Sequence, residues 1–158
     1  RREGGDGAER RPWARVDEVV GMLVVAQGGS NFQLNAELGS RFPALISATG
    51  RCMAAFGNHP PDMIAERFRA LRWDNPPDYQ SWQAQVAEAR LRGYAIDQGN
   101  YIEGVTVVAA PVLGRESTMS HAMIAIGLAG AVERVGVHVL GEALVIATRT
   151  ISGNLPQG

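Results

Sequence analysis

Three kinds of hydrophobic patterning follow one another along the chain, and each predicts a different element. The first is the unbroken apolar run. From Val105 to Val112 (VTVVAAPV) there is no formal charge, which is the composition of a strand covered on both faces. Val19 to Ala26 (VVGMLVVA), rich in β-branched residues, predicts a second buried strand. Ala122 to Ala129 (AMIAIGLA) predicts a third, returning antiparallel after the polar turn from Gly114 to Ser120. The second kind is strict alternation. Phe32, Leu34 and Ala36 alternate with Gln33, Asn35 and Glu37, the period of a half-buried strand, and the turn Gln27-Gly28-Gly29-Ser30-Asn31 joins it to Val19–Ala26 as a hairpin.

The third kind is spacing of three and four. Phe42-Pro43 forces an extended backbone, after which Leu45 to Phe56 predicts a helix with Ser47 or Thr49 as its N-cap. Pro61 suits the first turn of a second helix with Met63, Ile64, Phe68 and Leu71 as its apolar stripe and Trp73 just past its end. Asp78 can cap a third helix that turns Trp82, Val86, Ala89 and Leu91 inward and stops at Gly93. Gly130 to Ile151 predicts one long terminal helix carrying Val132, Val135, Val139, Leu140, Leu144, Ala147 and Ile151, a stripe that suits either the core or another subunit. The order hairpin, helices, hairpin, helix implies an α+β fold with an antiparallel sheet.

Composition narrows the functional classes. With 158 residues, 46% hydrophobic and 20% charged, the chain has the size and apolar content of one packed domain. Residues 1–15, RREGGDGAERRPWAR, interleave acids with arginines and lack apolar periodicity, so they read as a linker or the end of an interdomain segment, with residues 16–158 as the domain. A formal net charge of −1 supplies no broad field for gripping a nucleic acid backbone. No run reaches the roughly 18 apolar residues of a membrane span, and no apolar signal segment follows the N-terminus; a cytoplasmic location is expected. The single cysteine, Cys52, excludes an internal disulfide and fits a reducing compartment.

The candidate chemistry is sparse. Asp97, between Gly93-Tyr94 and the polar turn Gln98-Gly99-Asn100, stands at the mouth of the Val105–Val112 strand, where the rim of an apolar interior can hold a ligand; its other reading is a turn residue. Cys52, followed by Met53-Ala54-Ala55, reads as a buried inert thiol. His59, His121 and His138 lack any metal-ligand spacing, so neither a metal nor another cofactor is expected. Arg51 reads as projecting to solvent or to a subunit contact, its other reading being a pair with an anionic effector.

The segments SRFPALISATGR (40–51), RGYAIDQGNYIEGVTVVAAPV (92–112) and AIGLAG (125–130) resemble, in this order and spacing, the effector-binding domain of the IclR family of bacterial transcriptional regulators. The resemblance spans Val16 to Ser152 and implies a GAF-like curved antiparallel sheet of about six strands, with helices on both sides and a small-molecule pocket. It implies a homodimer or tetramer, no membrane, and operator DNA reached only through a winged helix-turn-helix domain that these residues lack. The family's Ala-x-Gly-Lys turn falls on Ala48, Thr49, Gly50 and Arg51, and its aspartate after Arg-Gly-Tyr falls on Asp97. Leu34 and Phe42 would add apolar wall, and Val105 and Val107 would face the same cavity. Backbone donors at a helix start favour an anionic group, so the implied effector is a small organic acid. Where the family often has Ser-x-Ser, this chain has Gly127 and Ala129, and Val107 replaces a frequent cysteine. Those losses favour a larger acid, aromatic acids included, over one as small and polar as glyoxylate. The expected function is ligand sensing without turnover. The alternatives are an enzyme on the same scaffold, with Asp97 as base or Cys52 as nucleophile, and a dimerisation module with no ligand.

Overall fold

The structure, a computed structural model, describes residues 19–21, 25–26, 41–43 and 47–154. Its centre is a hairpin of two long strands, β5 (Val105–Leu113) and β6 (Met119–Leu128). They pair antiparallel from Val105 opposite Leu128 outward, and β4 (Ala95–Gln98) adds antiparallel on the other side of β5, with Asp97 opposite Val107. Every residue of β5 from Val105 to Val112 is buried, as an apolar run without alternation requires. Pro111, which cannot donate to a ladder, lies beyond the end of β4, whose pairing with β5 stops at Ala109.

Near the N-terminus the described residues show pairings that the apolar run did not name. Val19–Gly21 (β1) pairs antiparallel with Arg41–Pro43 (β3), whereas Val25–Ala26 (β2) pairs parallel with Ile124 and Ala125 of β6. An apolar run states that a strand is buried without stating its neighbour. The described strands therefore form a four-stranded sheet, β2-β6-β5-β4, and a separate β1-β3 ladder. The fold is α+β, with β5 antiparallel to both its neighbours, β4 and β6; a sheet of about six strands is a count that reaches beyond the described residues. The alternating segment Phe32–Ala36 lies outside them.

Helices cover both faces of the four-stranded sheet. On one face lie α1 (Ser47–Phe56), α2 (Pro61–Arg69) and α3 (Tyr79–Arg92). Ala48, Cys52 and Met53 of α1 and Trp82, Val86 and Ala89 of α3 pack against Ala95, Val105, Val107 and Ala109. Phe68 of α2 joins an aromatic cluster, its ring centroid 4.9 Å from Tyr79 and 5.0 Å from Trp82. Asp78 caps α3 by accepting from the Ser81 amide, and Gly93 ends it with a left-handed φ of 95°. Leu91 does not turn inward: it is 89% exposed, two residues before that stop. On the opposite face Tyr94, Val108, Ala110, Val112, Met123 and Ala125 pack with Leu144 of the terminal segment.

That terminal segment is two helices rather than one, α4 (Ala129–Val135) and α5 (Val137–Asn154). Gly136, with φ of 104°, closes α4 by donating to the Val132 carbonyl and then leaves helical geometry. Only glycine takes that conformation cheaply, and the three-four spacing that continues through position 136 concealed the break.

Candidate functional site

The start of α1 is wholly enclosed. Ser47, Ala48, Thr49, Gly50, Arg51, Cys52 and Met53 are all buried, so this helix has no solvent face in its first two turns. Small side chains make that possible: Ala48 and Cys52 lie flat on the sheet, and the Cys52 thiol donates to the Ala109 carbonyl at 3.1 Å. Ser47 opens the helix with φ of 60°, a left-handed conformation that costs a residue with a Cβ about 1–2 kcal/mol. Its hydroxyl is buried and has no hydrogen-bond partner among the described residues. Thr49 sits inside the helix, so it is not the N-cap.

Arg51 overturns its sequence reading. The side chain is 0% exposed and binds four groups from four elements. Its Nη1 donates to the Ser47 carbonyl at 2.9 Å and to Asp97 Oδ2 at 3.3 Å. Its Nε donates to Gln85 Oε1 at 2.8 Å and its Nη2 to Asn100 Oδ1 at 2.8 Å. The guanidinium also lies 5.8 Å from the centroid of Trp73. Burial pulls its pKa down from the ordinary arginine value, and the Asp97 charge opposes that shift. A helix apolar or small all round is buried all round, and that signal in SATGRCMAA could have located Arg51.

Asp97, 1% exposed, is fully engaged. Oδ2 accepts from Arg51, while Oδ1 accepts from the amides of Asn100 at 2.8 Å and Tyr101 at 3.4 Å. Asn100 is in turn stitched to the loop before α3: Asn75 N donates to its carbonyl at 2.9 Å, and its Nδ2 donates to the Asn75 carbonyl at 2.9 Å. Asp74 accepts from the Glu103 amide at 2.8 Å. Asp97 is thus the turn residue of its second reading, buried and tied to Arg51. Asn100 was read only as part of the polar turn, and Gln85, Asn75 and Asp74 went unnoticed as partners of Arg51, Asn100 and Glu103, since single polar residues on a helix surface or in a loop carry no periodicity.

The candidate ligand residues fall into two groups. Ala48, Thr49, Gly50, Asp97, Val105 and Val107 come together on the α1 side of the sheet, because Asp97 pairs with Val107 and alternate residues of β5 share a face. Gly127 and Ala129 do not join them. Gly127 pairs with Thr106, and a Cβ on it would meet Val132 of α4, so it faces the other side. Ala129 borders a recess of about 290 Å³ there, with Gln98, Gly104, Thr106 and Val137. Phe42 lies in β3 opposite Val20, and Leu34 is outside the described residues.

Other reactive groups are quiet. Burial pushes the Cys52 thiol up to about 12, far from a nucleophilic thiolate. No group of three or more His, Cys, Asp or Glu that could hold a metal occurs among the described residues. No described helix is long and apolar enough to cross a membrane.

Residues 17–152 match the family described as bacterial transcriptional regulator IclR C-terminal. Among solved structures, the chain is similar to an IclR transcriptional regulator from Alicyclobacillus acidocaldarius, with a TM-score of 0.72 and 20% identity over 87% of this chain and 56% of that one. It is similar to the Agobacterium tumefaciens repressor BlcR, with a TM-score of 0.64 and 21% identity over 75% of this chain and 50% of that one. It is also similar to the C-terminal domain of a transcriptional regulator from Vibrio cholerae, with a TM-score of 0.65 and 18% identity over 90% of this chain and 88% of that one. The chain spans about half the length of the first two. A comparison with curated proteins finds no match.

Proposed function

Because the chain belongs to the IclR family of bacterial transcriptional regulators and corresponds to its C-terminal domain, we propose that it is the ligand-sensing part of such a regulator and binds a small organic acid at the start of α1. The observation that carries this reading is Ser47: a strained residue with an unpartnered buried hydroxyl, at the positive end of a ten-residue helix, beside an apolar floor. Strained backbone kept in a fold marks a site where the geometry serves a purpose. The carboxylate takes the Ser47 hydroxyl and the first amides of α1, among them Ala48, Thr49 and Gly50. The organic body lies toward Val105 and Val107, and aromatic acids fit this apolar lining. Gly127 and Ala129, across the sheet, have no part in the contact.

Asp97 then acts on the site indirectly. Its charge is spent on Arg51 and on the Asn100 turn, and Arg51 in turn holds the Ser47 carbonyl. The pair keeps the first turn of α1 in place rather than touching the ligand. Occupancy biases the arrangement of a dimer and, through it, an attached winged helix-turn-helix domain on operator DNA; that coupling requires different affinities in two arrangements. The enzyme alternative loses its two candidates, since Asp97 is consumed by partners and Cys52 is buried and protonated.

The test is a thermal-shift screen of carboxylic acids, from short oxo acids to aromatic acids, each beside its neutral amide. A binding acid at 100 times its Kd should stabilise the fold by about 2.7 kcal/mol, its amide should not, and Ser47→Ala, which removes the buried hydroxyl without adding volume, should weaken the acid about tenfold. Equal stabilisation by the amide, or an undiminished shift in Ser47→Ala, would remove the site from α1.

A further inference from the structure

The recess of about 290 Å³ on the far face of the sheet lies where the end of β4 and the start of β5 meet the junction of α4 and α5. Its volume is at the lower limit of small-molecule sites, room for a compact ligand. Thr106, only 2% exposed, is the most deeply set polar residue that lines it. Strand alternation turns this side chain away from the core shared by Val105 and Val107, to the side on which a Cβ at its partner Gly127 would meet Val132. A buried hydroxyl ordinarily finds a partner. Thr148, 3% exposed, donates its own to the Val145 carbonyl at 3.0 Å, whereas the Thr106 side chain makes no hydrogen bond with a described residue.

The polar groups that share the recess with Thr106 can all accept a hydrogen bond. Gln98, paired with Thr106 across β4 and β5, is exposed at the mouth. Glu133 of α4 is exposed there as well and has no ion pair among the described residues. It is the single ionisable side chain of the lining, the rest being glycine, alanine and valine. An anion entering here would meet a carboxylate and no lining cation. An ammonium would meet a carboxylate, an amide oxygen and a free hydroxyl, which match its three N–H donors. Val132 and Val137 supply an apolar wall for a short hydrocarbon body. They stand on either side of Gly136, the joint between α4 and α5, so one occupant touches both helices.

We propose that this recess is a second ligand site, for a compact primary amine whose ammonium binds Glu133, Gln98 and Thr106 and whose alkyl body lies on Val132 and Val137. The amine shares no contact with an acid held at the start of α1, so either site can fail without the other.

n-Butylammonium chloride, titrated at pH 7 into the isotope-labelled chain beside n-butanol, tests it, with sodium chloride matching the ionic strength. The backbone amides of Gly99, Gly104, Thr106 and Val132 should shift along one saturable curve, and the amine should saturate it at a concentration about tenfold below that of the alcohol. Glu133→Gln and Thr106→Val should each weaken the amine about fivefold, the worth of one exposed ion pair and of one hydrogen bond. Thr106→Val should also unfold no earlier than wild type, because the hydroxyl it removes is unpaired. Equal saturation by n-butanol, shifts spread over acidic residues elsewhere on the surface, an affinity unchanged in both variants, or an apo chain destabilised by Thr106→Val would each overturn the proposal.

Discussion

At the scale of single residues, one buried ion pair organises the candidate site. Removing one member of such a pair strands the other in a low-dielectric interior, whereas removing both does not. Arg51→Met and Asp97→Asn should therefore each cost about 3–5 kcal/mol, and the double variant should cost clearly less than the sum of the two. Urea unfolding of the four proteins measures this, and strict additivity would mean that the two side chains act separately. Cys52 gives a contrasting expectation. With its thiol raised to about 12 and bonded to Ala109, it should react with a thiol reagent at pH 8 only after denaturant is added, at a rate set by unfolding. Rapid modification of the native chain would contradict the burial. The inertness of Cys52 was legible from its neighbours. Arg51 was misread because a cation is ordinarily placed outside, and only the absence of any exposed position in residues 47–53 argues otherwise.

At the scale of elements, legibility followed the strength of local signals. The caps of α3 needed only Asp78 and Gly93, residues whose own chemistry ends a helix, and β5 needed only eight apolar positions in a row. Pairing partners were not local. Val25 and Ala26 find β6, about a hundred positions away, and nothing in VVGMLVVA encodes that neighbour. Glycine was the other blind spot. Gly136 breaks the terminal helix and Gly141, inside α5, admits the Tyr94 ring, yet in sequence the two look alike. Gly141→Ala should destabilise the fold by about 1–3 kcal/mol despite the better helix propensity of alanine, because the new methyl meets the ring. Shortening the ring with Tyr94→Leu in the same chain should recover part of that loss. A stabilising Gly141→Ala measured by thermal unfolding would show that the ring moves aside freely.

At the scale of the whole molecule, two cores share one sheet, and their faces have different work. The face under α1 holds the ion pair and the candidate ligand turn; the face under α4 and α5 holds a second core around Tyr94, Val108 and Leu144. The family and the α+β class were legible together because they rest on short contiguous segments, which also supply the residues brought together under α1. The division of Gly127 and Ala129 from that group was not, because a shift of one residue along a strand exchanges its faces. One titration reports on the integrity of the whole sheet. His121, in β6 opposite Val112, is held by burial below its ordinary value, so the unfolded chain takes up its proton first as pH falls. The stability tied to its neutral form is complete above about pH 6.5 and is lost as pH drops toward the depressed folded value. Between about pH 6.5 and 5 the wild-type chain should therefore lose stability more steeply than His121→Gln, whose curve lacks this contribution.

The central claim is that a carboxylate is held by the first turn of α1. Backbone amide chemical shifts of the isotope-labelled chain, followed while a stabilising acid is titrated in, test it most directly. The largest changes are expected at Ala48, Thr49 and Gly50, with smaller ones at Val105 and Val107. Changes centred instead on Gly104, Thr106 and Ala129, across the sheet, would place the ligand in the other recess and contradict the account.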